Sequence, residues 1–162
     1  MSATAVLVVD DDRLNRLTLT RLLEAEGYQV RAVEDGQGAL DALEEGPFGA
    51  VLLDLIMPGV GGLEVLRVVK ASPVLWRTPV LVISAVEDTA SIVACLEAGA
   101  EDFISKPFDP LVLRARINAA LARRRFGDME AEYHKLVDAQ AEELAALRAR
   151  LAACTCGAAP SS

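Results

Sequence analysis

The chain has 162 residues, 52% of them apolar, which suits one compact domain plus an appendage. No apolar run reaches the ~18 residues that a membrane span requires, and residues 1–5 lack a basic stretch leading into a long apolar one, so a cytoplasmic protein without signal peptide or membrane contact is expected. The net charge of −8 is uneven: residues 1–122 hold 10 Lys and Arg against 18 Asp and Glu, a balance that argues against direct nucleic-acid binding and suits a site that concentrates a cation.

Five short apolar runs, at residues 5–9, 29–33, 50–55, 79–83 and 102–105, alternate with helical patterns. Val6 to Val9, Val51 to Leu53 and Val80 to Ile83 are almost unbroken, as strands buried on both faces of a parallel sheet require. Between the runs, apolar faces are expected from Leu14, Leu17, Leu22 and Leu23, from Ala39, Leu40 and Leu43, from Leu63, Leu66 and Val69, and from Ile92, Val93 and Leu96. Glycines and prolines at Gly27, Gly36, Gly46-Pro47, Pro58-Gly59, Pro73, Gly99 and Pro107 punctuate the turns. Five β-α repeats imply a doubly wound α/β fold with right-handed crossovers. Cys95 falls in an apolar helical stretch and is expected in the core.

Beyond Pro107 the pattern changes. Asp109-Pro110 opens a helix, Asp as N-cap and Pro in the first turn. From Leu111 to about Ala153 there is no proline and the only glycine is Gly127, where a kink or hinge is expected. Phe126, Tyr133, Val137, Leu144, Leu147 and Leu151 recur with 3-4 spacing, interrupted by Glu130 and Gln140, which predicts a long helix with a modest coiled-coil seam that pairs. Arg123-Arg124-Arg125 is expected as a solvated helical face, and His134 as exposed. Cys154 and Cys156 form a C-x-C near the terminus. It lacks the ligand count of a structural zinc site and is read as exposed tail, with metal binding or an inter-chain disulfide as the lesser readings. The three cysteines are too few and too unevenly spaced for a disulfide framework.

In a parallel α/β sheet, ligands bind off the carboxyl ends of the strands. The first run ends in Asp10-Asp11-Asp12, the third in Asp54 and the fourth in Ser84, and the fifth leads into Ser105-Lys106-Pro107. Carboxylates gathered on one edge repel unless a cation joins them. Mg2+ takes such hard oxygen ligands, and a carboxylate beside it can attack phosphorus while an ammonium and a hydroxyl receive the phosphoryl oxygens.

Val8-Val9-Asp10-Asp11-Asp12, Leu53-Asp54-Leu55-Ile56-Met57-Pro58, Ser84-Ala85 and Lys106-Pro107-Phe108, taken together and in order, resemble the signature of response-regulator receiver domains over residues 4–122. The resemblance implies a flavodoxin-like five-stranded sheet of order 2-1-3-4-5 with the long helix appended. It implies a receiver domain over 1–122; the residue pattern adds the expectation of a helical, coiled-coil extension over 123–156 and a disordered tail over 157–162. Asp54 would accept a phosphoryl group from a sensor histidine kinase or phosphotransfer protein. Asp10, Asp11, Asp54 and the Ile56 backbone carbonyl would hold Mg2+, Lys106 would pair with the phosphoryl oxygens, and Ser84 and Phe103 would act as the switch. Such a domain is a signalling module and not an enzyme. A downstream protein partner and a homodimer through the C-terminal helix are expected with it.

Two positions depart from the family pattern. Ile56 stands where Asn or another polar residue is common, and Val86, two places after Ser84, is also apolar, so a slow self-dephosphorylation is expected. Gly61 replaces a common Asp and removes a helix N-cap. Asp10-Asp11-Asp12, Ser84 and Lys106 also loosely resemble a haloacid-dehalogenase-type phosphatase with Asp10 as nucleophile and Asp12 as acid/base, although no Ser or Thr follows Asp12. A third reading is a scaffold that mainly dimerises through residues 111–153.

Overall fold

A computed structural model describes residues 4–157. All but Gly157 of the expected disordered tail lies outside them. The elements run β1 (Ala5–Val9), α1 (Arg13–Ala25), β2 (Gln29–Val33), α2 (Gly36–Glu45), β3 (Ala50–Leu53), α3 (Gly62–Ala71), β4 (Val80–Ser84), α4 (Thr89–Glu97), β5 (Asp102–Ser105) and α5 (Pro110–Cys156). The five strands form one parallel sheet in the order β2-β1-β3-β4-β5, as expected for a flavodoxin-like fold. Val9 pairs with Val33 on one side and Leu53 on the other, so β1 and β3 end level with each other.

Alternate residues of the central strands enter two separate cores. Leu7, Val9, Val51, Leu53, Val80 and Val82 pack with Ala39, Leu43, Val65, Leu66, Val69 and Cys95 from α2, α3 and α4. Val6, Val8, Leu52, Leu81 and Ile83 pack with Leu19 and Leu23 of α1 and with Leu113, Ile117 and Leu121 of α5. Each fully buried aliphatic side chain contributes roughly 1.5–3 kcal/mol, which is why these three strands read as unbroken apolar runs.

Two helical faces differ from expectation. On α1 the buried residues are Leu19 and Leu23, while Leu14 and Leu17 are exposed. By helix periodicity Leu14 and Leu17 fall on the opposite side of α1 from Leu19 and Leu23. On α4 only Cys95 is buried; Val93 and Leu96 are exposed. β3 ends at Leu53 and not at residue 55, because the chain leaves the sheet at Asp54 to turn toward α3. α5 is helical across Gly127-Asp128, where a kink or hinge is expected; a single exposed glycine costs a helix only about 1 kcal/mol.

The chain divides into two compact units, one reaching to Arg124 and one starting at Arg125. In the first, Arg124 departs from the expected solvated basic face, while Arg123 is exposed as expected. Arg123 pairs with Glu101 at 2.6 Å. Arg124 donates to the carbonyls of Phe48 and Gly49 at 2.5 and 2.9 Å. In the second unit, all described residues are exposed except Ala131, which is half-buried. Among the described residues no helix is long and apolar enough to cross a membrane.

Candidate functional site

The ends of β1 and β3 bring their acidic residues together because the two strands are neighbours in register. The Asp54 N–H still donates to the Val9 carbonyl at 2.9 Å, which seats Asp54 beside the β1 terminus. Asp10 is buried, Asp54 nearly so, and Asp11 is exposed. One carboxylate oxygen from each of Asp10, Asp11 and Asp54 lies within 4.8 Å of the other two. Three hard, anionic oxygens at that separation match what a divalent cation such as Mg2+ binds.

Lys106 reaches this cluster from the loop after β5. Its ammonium donates to Asp10 Oδ2 at 2.7 Å and to Asp54 Oδ2 at 3.1 Å. Its backbone N–H donates to the Ser84 carbonyl at 2.9 Å, tying the β5–α5 loop to the end of β4. The Lys106-Pro107 peptide bond is cis. Burial works against the charge on Lys106, yet the hydrogen bonds it donates to Asp10 and Asp54 and their negative charges outweigh it, so its pKa is raised. The lysine therefore stays an ammonium while it faces the carboxylates.

The remaining predicted residues lie on β4, on β5 and in the β3–α3 loop. Ser84 is fully buried at the end of β4, and its Oγ accepts from the Val86 N–H at 3.4 Å. Ile56 lies in the β3–α3 loop with its side chain exposed, and its N–H donates to Asp54 Oδ1 at 3.3 Å. Phe103, on β5, is half-buried against the core under α3 and α4. Ile56 and Val86 both line an open cavity of about 550 Å³ with Leu55, Leu63, Ala94 and Cys95.

Asp12 does a different job from its neighbours. It is the N-cap of α1, accepting from Leu14 N–H at 2.7 Å and Asn15 N–H at 3.0 Å. The hydrogen bond from Asn15 lowers the pKa of its carboxyl, against an opposing effect of desolvation, and that from Leu14 adds to the lowering. Arg16 was not singled out from the sequence. It donates to the carbonyls of Asp10 and Asp11 at 2.8 and 3.0 Å and pairs with Glu34 at 3.7 Å. A basic residue on the first turn after an acidic strand end was the available signal. Gly62 is a second one: a Cβ there would stand 2.1 Å from the Asp54 carbonyl oxygen, so α3 starts this close to the acidic loop only with glycine.

The family model for the response regulator receiver domain matches residues 6–118. The DNA-binding response regulator MtrA of Mycobacterium tuberculosis (strain ATCC 25618 / H37Rv) is 41% identical over 135 residues, which are 83% of this chain and 57% of MtrA. The transcriptional regulatory protein CseB of Streptomyces avermitilis is 40% identical over 124 residues, 76% of this chain and 51% of CseB. Among solved structures, a response regulator from Chloroflexus aurantiacus superposes with a TM-score of 0.71 at 32% identity, covering 75% of this chain and 99% of its own. The BeF3-activated DrrB receiver domain gives 0.69 at 30% identity, covering 75% and 99%. The chain thus spans little more than half the length of the curated relatives it matches. Their names overturn the expectation of no direct nucleic-acid contact. The acidic balance of residues 1–122 describes the surface of that domain alone, whereas affinity for DNA comes from the basic surface of whichever module reads it.

Proposed function

This chain belongs to the response regulator receiver domain family, and from that premise we propose that it accepts a phosphoryl group on Asp54 from a phosphohistidine of a sensor kinase or phosphotransfer protein. The observation that carries the reading is the Lys106 ammonium bridging Asp10 and Asp54 beside the three-carboxylate cluster. An oxygen of Asp54 attacks phosphorus in line with the departing imidazole nitrogen; the P–N bond breaks as the O–P bond forms. Lys106, kept protonated, gives up one carboxylate contact and follows the phosphoryl oxygens. Asp10, Asp11, Asp54 and the backbone carbonyl of Ile56 would hold Mg2+. When bound, the ion supplies positive charge to the phosphoryl oxygens. The Ser84 hydroxyl exchanges its contact with Val86 for the new phosphoryl group, and Phe103 follows it inward, a local change that biases a two-state surface. A cytoplasmic location belongs to the same proposal, since such kinases draw their phosphate from ATP.

The names of the relatives bear on the output. We extend to this chain a DNA-binding effector as what its phosphorylation governs, the effector supplying the basic footprint that the acidic receiver lacks. The phosphatase reading would use as acid/base Asp12, whose Oδ1 already accepts from two backbone N–H groups as the cap of α1.

Treatment with an acyl phosphate and Mg2+, followed by peptide mapping, tests the proposal. Expected is one phosphoryl group on Asp54, lost with a chelator and in Asp54→Asn. A phosphoryl group on Asp10 would overturn it in favour of the phosphatase.

A further inference from the structure

Residues 126–154 of α5 present an exposed face with no part of the described chain over it. Two lines of side chains run along it with a seven-residue period. One is Phe126, Tyr133, Gln140, Leu147 and Cys154; the other is Glu130, Val137, Leu144 and Leu151. The six apolar side chains other than Cys154 are between 41% and 71% exposed. A heptad sustained over about four repeats is a surface shaped for another helix.

We propose that a second copy of this chain covers this face, parallel and in register, so that the two Cys154 thiols oppose each other. Two features select the orientation. Parallel pairing sets each line against itself, so Gln140 meets Gln140 and the two amides hydrogen-bond. Antiparallel pairing sets one line against the other and lays each Gln140 against Val137 or Leu144, leaving two amides buried without partners. Flanking the seam, a parallel pair brings each residue beside the position five later in the other copy. Glu143 then lies beside Arg148 of the second copy, and the match repeats by symmetry. The facing Glu130 residues oppose pairing at the start of the seam and keep it moderate in strength. Nothing in this pairing depends on phosphorylation at Asp54.

Cys154 provides the readout. With glutathione disulfide as oxidant, one Cys154 thiolate forms a mixed disulfide and releases glutathione. The second Cys154 then displaces the other glutathione, giving the inter-chain disulfide and two reduced glutathiones. Cys156 lies off both lines, and Cys95 is buried. The full chain carrying Cys156→Ser is expected to cross-link about tenfold or more faster than the chain carrying Cys154→Ser, because a thiol held against its twin has an effective concentration in the millimolar range. Light scattering on the reduced chain in the micromolar range is expected to give twice the chain mass, returning to the single mass in Leu144→Lys. A reduced chain that stays monomeric overturns the proposal, as does a dimer unaffected by Leu144→Lys. A dimer in which Cys154 cross-links no faster than Cys156 overturns the parallel register.

Discussion

The Lys106 ammonium lies closer to Asp10, at 2.7 Å, than to Asp54, the residue it is proposed to assist. In this geometry Lys106 is the internal counterion of two carboxylates that would otherwise face each other nearly dry. Lys106→Met should therefore destabilise the metal-free protein by about 3 kcal/mol, the scale for removing one partner of a buried ion pair. Mg2+ should restore part of that loss, because the cation then answers the same carboxylates. Phosphorylation by an acyl phosphate should fall by an order of magnitude or more with Mg2+ affinity retained. Melting curves with and without Mg2+ check the first part; if the variant melts like the wild type in both, the counterion role fails.

Adjacent glycines at the start of α3 should respond in opposite ways. Gly61 is the N-cap, has extended backbone, makes no side-chain cap, and has only an ordinary contact where a Cβ would go. Gly61→Asp should stabilise by a few tenths to about 1 kcal/mol and leave phosphorylation unchanged. Gly62→Ala places a methyl against the backbone of Asp54 and Leu55. It should displace the acceptor loop, lower the melting temperature and slow phosphoryl uptake together. Equal behaviour of the two variants would mean that the loop relaxes freely.

How much of this was legible in advance depended on what each residue's neighbours were. Val6 to Val9, Val51 to Leu53 and Val80 to Ile83 announce buried strands because both faces of a central parallel strand are covered, and Asp10, Asp54 and Ser84 follow from where those strands end. The faces of α1 and α4 were misjudged because Leu14, Leu17, Val93 and Leu96 are apolar yet exposed, and periodicity cannot tell a core face from an uncovered one. The roles of Arg16 and Arg124 are hidden for another reason: each binds backbone carbonyls, and a carbonyl leaves no mark in the sequence. The acidic balance of one domain likewise carried no information about a DNA-reading module in its relatives.

Acid should weaken the protein through its helix caps. The Asp12 carboxyl is held down by the Asn15 N–H, and that of Asp88, the N-cap of α4, by the Ser91 N–H, both below the ordinary value of 3.8. A carboxyl whose folded pKa is depressed stabilises the fold above its unfolded pKa, and that contribution disappears as pH falls through the folded value. The melting temperature should thus drop below about pH 4. Asp88→Asn retains the capping oxygen but cannot titrate. Its acid limb should be shallower than the wild type's with little change at neutral pH, and an unchanged slope would assign acid loss to other groups.

The phosphorylated state should be long-lived. Hydrolysis of an acyl phosphate on Asp54 needs a water placed opposite the Asp54 oxygen. Ile56, two places after Asp54, and Val86, two places after Ser84, are both apolar and line the same cavity. Neither side chain can donate to or accept from a water. Ile56 is 64% exposed, so a polar replacement there costs little stability. Ile56→Asn should speed loss of the phosphoryl group severalfold, Val86→Asn should do the same, and the double variant should exceed either. Release of phosphate after removal of the donor, followed at constant Mg2+, measures each rate. Should both single variants decay at the wild-type rate, water access is controlled elsewhere and the apolar pair has no part in the lifetime.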